Sequence, residues 1–247
     1  MAIFATAIFV LNRHGVTAQP AHMATSVRTL SPPPAIVDGR PPDPTQQEIA
    51  GSSTLEQVLS IAMAGDAGAM RDAGLKYLAG DGVAADETEA ARWLLRSAYQ
   101  GDAVAEYWLG TLYARGAGVP ADIAQALHWY EAAAKKSNPR AIHSLAIAAL
   151  EGIGKDKNET QAAQLFATAA GLGLVDSAFN LAVLYERGSG VKQSLADAFK
   201  WYGIAAAGGD APARARMDTL AEKLHPADRA LAQQAADAFK PSSRKCG

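Results

Sequence analysis

The 247-residue chain has a single cysteine, Cys246, second from its C-terminus. One cysteine excludes an intrachain disulfide and a cysteine-built metal site. What stays open for it is an intermolecular link, a thiol for attachment, or no role at a frayed end. A basic excess is also missing: 23 Lys and Arg stand against 25 Asp and Glu, a formal charge of −2, and they are spread rather than striped. That argues against nucleic acid as a partner. No apolar run reaches the roughly 20 residues that a membrane-spanning helix needs.

Signatures of catalysis are absent as well. No serine sits in a G-x-S-x-G turn, and a Cys/His pair has no cysteine to use within the folded body. Gly152-Ile153-Gly154-Lys155 looks like the end of a phosphate-binding loop. The earlier glycine of that loop would fall at Ala149, however, and Asp156 stands where its Ser or Thr belongs. Of the five histidines, His14, His22, His128, His143 and His225, no two in the folded body lie at helical ligand spacing. The residues therefore predict no catalytic, cofactor-binding or metal-ligating site, and His128, next to an apolar tryptophan, is expected to face solvent.

What is present falls into segments. The uncharged run MAIFATAIFVL is succeeded by Asn12, Arg13 and His14. It reads as a signal-peptide core, with Val16-Thr17-Ala18 as a small-residue cleavage site before Gln19, although no positive residues precede it. Alternatively it is the distal half of a membrane helix, or a short apolar tail on a cytosolic protein. The first two readings of segment 1–18 export the remainder of the chain: the expected location is periplasmic or membrane-tethered, with the membrane met only through this segment, and the alternative is cytoplasmic. From 19 to 53 come Pro20, Pro32, Pro33, Pro34, Pro41, Pro42 and Pro44. Proline fixes φ and removes a donor, so an extended linker is expected.

The body begins near Leu55 and is internally repetitive. A 36-residue frame aligns copies at 65–100, 101–136, 137–172 and 173–208 without a gap, and Gly209 opens a partial fifth. Tyr113 falls in register with Tyr77, Ala149 and Tyr185. A glycine pair recurs as Gly80/Gly82, Gly116/Gly118, Gly152/Gly154 and Gly188/Gly190. Trp93, Trp129, Leu165 and Trp201 share another position, preceded by Ala90, Ala126, Ala162 and Ala198. Apolar spacings of three and four predict two helices per copy, in the second copy over 102–114 and 122–135. The glycines supply the positive φ at the turn between them. Asp86, Asp122, Asn158 and Ser194 stand where each second helix needs a cap. Ala126 and Ala134 suit close backbone approach, with Trp129 and Tyr130 filling the gaps. Pro226 is placed at the first turn of a terminal helix.

The stretch Ala105-Glu106-Tyr107-Trp108-Leu109-Gly110-Thr111-Leu112-Tyr113, with Ala126-Leu127-His128-Trp129-Tyr130-Glu131-Ala132-Ala133, resembles the Sel1-like repeat, a relative of the tetratricopeptide repeat. The resemblance covers 65–208, with helix-like flanks at 54–64 and 210–239. It implies an all-α fold, a right-handed α/α superhelix (solenoid) capped at 209–241, and a non-enzymatic scaffold for a protein or peptide partner. The tail from Gly209 to Pro241 is similar to the end of the repeat region in polar-localisation factors of the PodJ type. That likeness implies an envelope process such as polarity, cell-wall organisation or signalling, with a cell-wall-associated partner. A cysteine-rich subset of Sel1-like proteins acts on β-lactams, but its paired cysteines are missing here. The alternatives are an exported peptidoglycan- or β-lactam-acting protein and a cytosolic assembly factor.

By analogy with tetratricopeptide repeats, the concave face would carry Arg71, Tyr107, His143 and Phe179, with Leu75, Thr111, Ile147 and Val183 one turn on. Aromatics and arginine are the usual interface anchors, so this row is the candidate partner site. The other reading is that Tyr107 and Phe179 pack between repeats.

Overall fold

Each pair of helices is built by the same few residues acting at the same places. In a computed structural model, residues 54–242 are described, and they form eleven α-helices and no strand among them. Segment 1–18, the proline-rich 19–53, His14, His22 and Cys246 lie outside the described residues. The helices are α1 Leu55–Met63, α2 Ala67–Ala79, α3 Glu87–Tyr99, α4 Ala103–Arg115, α5 Ile123–Lys135, α6 Pro139–Glu151, α7 Glu159–Gly171, α8 Val175–Arg187, α9 Leu195–Ala207, α10 Ala211–Ala221 and α11 Pro226–Asp237. They divide into two units, described residues 54–138 and 139–242.

The turn within each pair is built on one plan. The first helix ends at a left-handed glycine, as at Gly116 with φ 68°, whose N–H donates to the Leu112 carbonyl. The next N–H, that of Ala117, donates to the same carbonyl at 3.1 Å, which satisfies an otherwise orphaned acceptor. The N–H of Asp122 then reaches back to the Tyr113 carbonyl at 3.0 Å, and Asp86, Asn158 and Ser194 repeat that bond to Tyr77, Ala149 and Tyr185. All four of these residues also accept with their side chains from the N–H groups of the helix they open. Each such cap contributes about 1 kcal/mol to the helix it starts.

In the N-terminal unit, α1 lies on α2, α2 on α3, α3 on α4 and α4 on α5. The two helices of a pair pack too tightly for a side chain at Gly74 and Gly110 of the first helices. A Cβ on Gly74 would stand 2.6 Å from Leu94 Cγ, and one on Gly110 would stand 2.8 Å from the Tyr130 ring. Close approach therefore sits on the first helix, in addition to the buried Ala126 of the second. Leu94, Leu109 and Leu112, all essentially inaccessible, join Trp129 in the core of this unit. Cutting one of these leucines back to alanine costs about 2–5 kcal/mol.

The C-terminal unit pairs α6 with α7 and α8 with α9, joins α7 to α8, and lays α10 and α11 on α9. Its core runs through Phe166, Leu181 and Leu184 in one cluster, and Phe179, Tyr202, Met217 and Leu220 in another. Pro226 takes the first turn of α11, where its missing N–H costs nothing.

Candidate functional site

The row expected to face a partner is mostly internal. In the N-terminal unit, Tyr107 of α4 is 3% exposed; its ring centroid lies 5.7 Å from that of Trp108 and 5.9 Å from that of Tyr130. Thr111, also buried, donates its hydroxyl to the Tyr107 carbonyl at 3.0 Å and accepts from the Tyr130 hydroxyl at 3.3 Å. In the C-terminal unit, His143 is fully buried, with Nδ1 2.7 Å from Ser177 Oγ and its ring edge-on to Phe166 at 5.3 Å. Phe179, 4% exposed, meets Tyr202 edge-on at 5.3 Å.

One rule unites these contacts. The ring on the first helix meets the residue 23 positions later on the second: Tyr107 with Tyr130, His143 with Phe166, Phe179 with Tyr202. The edge-on pairs, His143 with Phe166 and Phe179 with Tyr202, each add about 0.5–1.5 kcal/mol beyond the area they bury, while Tyr107 and Tyr130 meet tilted at 33°. Packing inside the helix pair is therefore where these three side chains are placed.

Arg71 is the accessible member of the row, and its guanidinium is already engaged. It donates to Asp72 and, at 2.9 Å, to Asp102 Oδ2, while Asp102 Oδ1 caps α4 by accepting from Val104 and Ala105. Burial disfavours the Arg71 charge, but the two carboxylates outweigh it and raise its pKa above the ordinary arginine value. On the same two helices Asp72 and Trp108 are partly exposed and Val104 is exposed.

Other charged residues serve as ties between helices. Glu106, 3% exposed, receives the Lys136 ammonium at 2.6 Å on Oε1, and its buried Oε2 has no hydrogen-bond partner. Glu186 of α8 accepts from the Tyr202 hydroxyl at 2.9 Å and pairs with Arg216 of α10. Burial first, and the neighbouring Glu186 second, push the Tyr202 phenol well above its ordinary pKa. The 36-residue repeat does not single out these ties, because they join positions that change identity from copy to copy. The one hint in the sequence is charge at equivalent offsets, Glu106 with Lys136 and Glu186 with Arg216.

The expected surface position of His128 is observed, with its ring against the edge of Trp129. Gly152, Ile153, Gly154 and Lys155 form the turn between α6 and α7, and the N–H of Ile153 donates to the Ala148 carbonyl as part of it. Among the described residues, no three His, Cys, Asp or Glu side chains stand close enough to hold a metal ion. No described helix is long and apolar enough to cross a membrane.

Comparison with known proteins accounts for this architecture. The Sel1 repeat matches residues 67–102, 103–138, 139–174 and 175–210, the same period as the sequence frame shifted by two residues. A protective antigen present in uropathogenic Escherichia coli strains, with an SLR fold, is 25% identical over 74% of this chain, with a TM-score of 0.66. A Sel1 repeat protein from Oxalobacter formigenes is 31% identical over 67% of it, with a TM-score of 0.62. The chain spans only 40% and 48% of the lengths of those two structures. No curated protein matches. Sel1 repeats generally mediate protein–protein interaction. With four consecutive repeats across more than half its length, the chain belongs to the Sel1 repeat family.

Proposed function

We propose that this protein is a non-enzymatic scaffold that holds a protein or peptide partner in a bacterial envelope process, of the kind served by polar-localisation factors of the PodJ type. One observation carries the scaffold reading: the rings of the repeat row are used for packing, while Arg71 on α2, held to the α4 cap Asp102, and Val104 and Trp108 on α4 remain accessible. A guanidinium fixed by two carboxylates, together with an exposed valine and a partly exposed indole on the helix it is tied to, offers the anchor types found at interface hot spots. The partner binds here, with Tyr107 acting as the floor beneath the contact. The envelope reading is supported by the apolar run and the proline-rich stretch ahead of the repeats.

Fractionation of the epitope-tagged chain in its host tests the location. Recovery with the periplasm or membrane is the expected result, and recovery with the cytosol overturns the envelope reading. Partner capture by wild type and by a Val104→Asp, Arg71→Gln variant tests the binding face. An acidic residue in the first turn of α4 suits the helix dipole, so that variant folds.

A further inference from the structure

After α11 ends at Asp237, the chain turns back along the C-terminal unit. Phe239 sets its ring edge-on to Trp201, centroids 5.7 Å apart at 67°. A Cβ on Gly173 would touch Pro241 at 3.4 Å. Ser242 donates its N–H to the Gly171 carbonyl at 2.9 Å and its hydroxyl to the same oxygen at 3.2 Å. These contacts border a cavity of about 240 Å³ walled by Ala170, Leu174, Val175, Ile204 and Ala236.

An earlier copy closes the equivalent place with its own side chain. The position of Gly171 is Tyr99 in the first copy and Lys135 in the second, and that of Gly208 is Gln100, Lys136 and Leu172. Tyr99 lies edge-on to Trp129 at 5.7 Å and 77°, and Trp129 is the repeat equivalent of Trp201. Phe239 thus supplies from the tail the contact that Tyr99 makes from its own helix. Gly171, lacking a side chain, leaves the place open, whereas at Gly208 the Val175 side chain stands where a Cβ would lie. The tail is also lightly held: Ala238, Lys240, Pro241 and Ser242 are exposed, and only Phe239 is partly covered.

A groove cleared of its own side chain at Gly171 and closed over by one aromatic anchor and a main-chain hydrogen bond has the makeup of a peptide site. We infer that this groove takes an extended protein segment with an aromatic residue two positions before a proline, and that Phe239–Ser242 occupies it in cis until such a segment competes. The inference rests on the scaffold reading for the class of partner, but it concerns a different face.

The probe is a fluorescent peptide of the sequence Ala236–Ser242, titrated against the full chain by anisotropy. Wild type binds it weakly, because affinity is reduced by the fraction of molecules whose groove is open. Phe239→Ala opens the groove and tightens binding at least about tenfold. Pro241→Asp, which loses the contact at Gly173 and so weakens the hold of the tail on Trp201, is a second release variant. Gly171→Tyr restores the side chain of the first copy at a place where a Cβ meets nothing within 4 Å. Added to Phe239→Ala, it abolishes probe binding with unchanged thermal unfolding. The inference is overturned if neither release variant binds better than wild type, if Gly171→Tyr leaves binding intact, or if both release variants unfold, which would make the tail a clamp of the fold. Any of these results leaves the α2/α4 face and its capture assay standing.

Discussion

Gly118 in the turn of the second repeat lies so close to Glu87 at the start of α3 that a Cβ on it would stand 2.0 Å from the Glu87 carbonyl oxygen. Gly190 stands in the same relation to Glu159, at 2.1 Å. The second glycine of the turn is therefore a joint between consecutive repeats, whereas Gly82, with no repeat before it, has nothing within 4 Å. All three have φ near 70°. Gly82→Ala should lose only the left-handed strain, about 1–2 kcal/mol. Gly118→Ala adds a backbone clash and should lose at least about 3 kcal/mol. Thermal unfolding of the two variants side by side checks the difference, and equal losses would remove the joint.

Ser137 is the one non-glycine residue with positive φ among the described residues, at 63°, and it occupies the inter-repeat turn held elsewhere by Gly65, Gly101, Gly173 and Gly209. Glycine there relieves about 1–2 kcal/mol of strain and returns part of it as unfolded-chain entropy. Ser137→Gly is expected to stabilise the protein by about 0.5 kcal/mol, seen as a small rise in Tm. A fall in Tm would show that the serine hydroxyl does more than turn the chain.

The phenol of Tyr202 carries a pH prediction. Its pKa is raised in the fold by burial and by Glu186, so the neutral form is favoured by folding. A pKa higher folded than unfolded means that this stability is fully present below the ordinary tyrosine value of about 10 and is lost as pH rises past it. Tyr202→Phe removes a hydrogen bond to a carboxylate, about 1.5–3 kcal/mol at pH 8. The gap between variant and wild type should narrow at about pH 11, measured by urea unfolding at both values. A constant gap would mean that the phenol titrates alike in both states.

Glu106 and Lys136 occupy positions that are Met70 and Gln100 in the first copy and Ile142 and Leu172 in the third. Lys136→Ala leaves a buried carboxylate without its counter-ion and should cost about 2 kcal/mol, below the fully buried case because Lys136 is 41% exposed. Glu106→Ile with Lys136→Leu copies the apolar pair of the third repeat and should return stability to within about 1 kcal/mol of wild type. A double-mutant cycle from chemical denaturation reads both numbers.

Much of this fold can be read from residue order, and the reason is local chemistry repeated four times. Asp86, Asp122, Asn158 and Ser194 cap helices because a short polar side chain before an apolar-periodic run has little else to do. The predicted second-copy helices, 102–114 and 122–135, differ from α4 by one residue at each end and from α5 by one residue at its start. Burial of Tyr107, His143 and Phe179 is harder to read. A 36-residue alignment says which residues are equivalent, not which side of a helix its neighbour covers. The 23-residue offset between ring positions holds the answer: Tyr107, His143 and Phe179 each meet a ring at that distance, whereas the residue at that offset from Arg71 is Leu94. The glycine pair reads in the sequence as one turn device, whereas the first glycine ends a helix and the second admits the preceding repeat. The tail groove depends on a side chain that is missing, at Gly171, and an absence shows only beside the copies that retain it.

Partner capture tests the scaffold account most directly. The tagged full chain is cross-linked in host cells, and its protein partners are quantified for wild type and for the Val104→Asp, Arg71→Gln variant, with thermal unfolding measured on both. The account predicts a partner recovered by wild type and reduced at least about tenfold, or about 1.4 kcal/mol, in a variant that unfolds at nearly the same temperature. Identical partners for both proteins, or no partner for either, would contradict it.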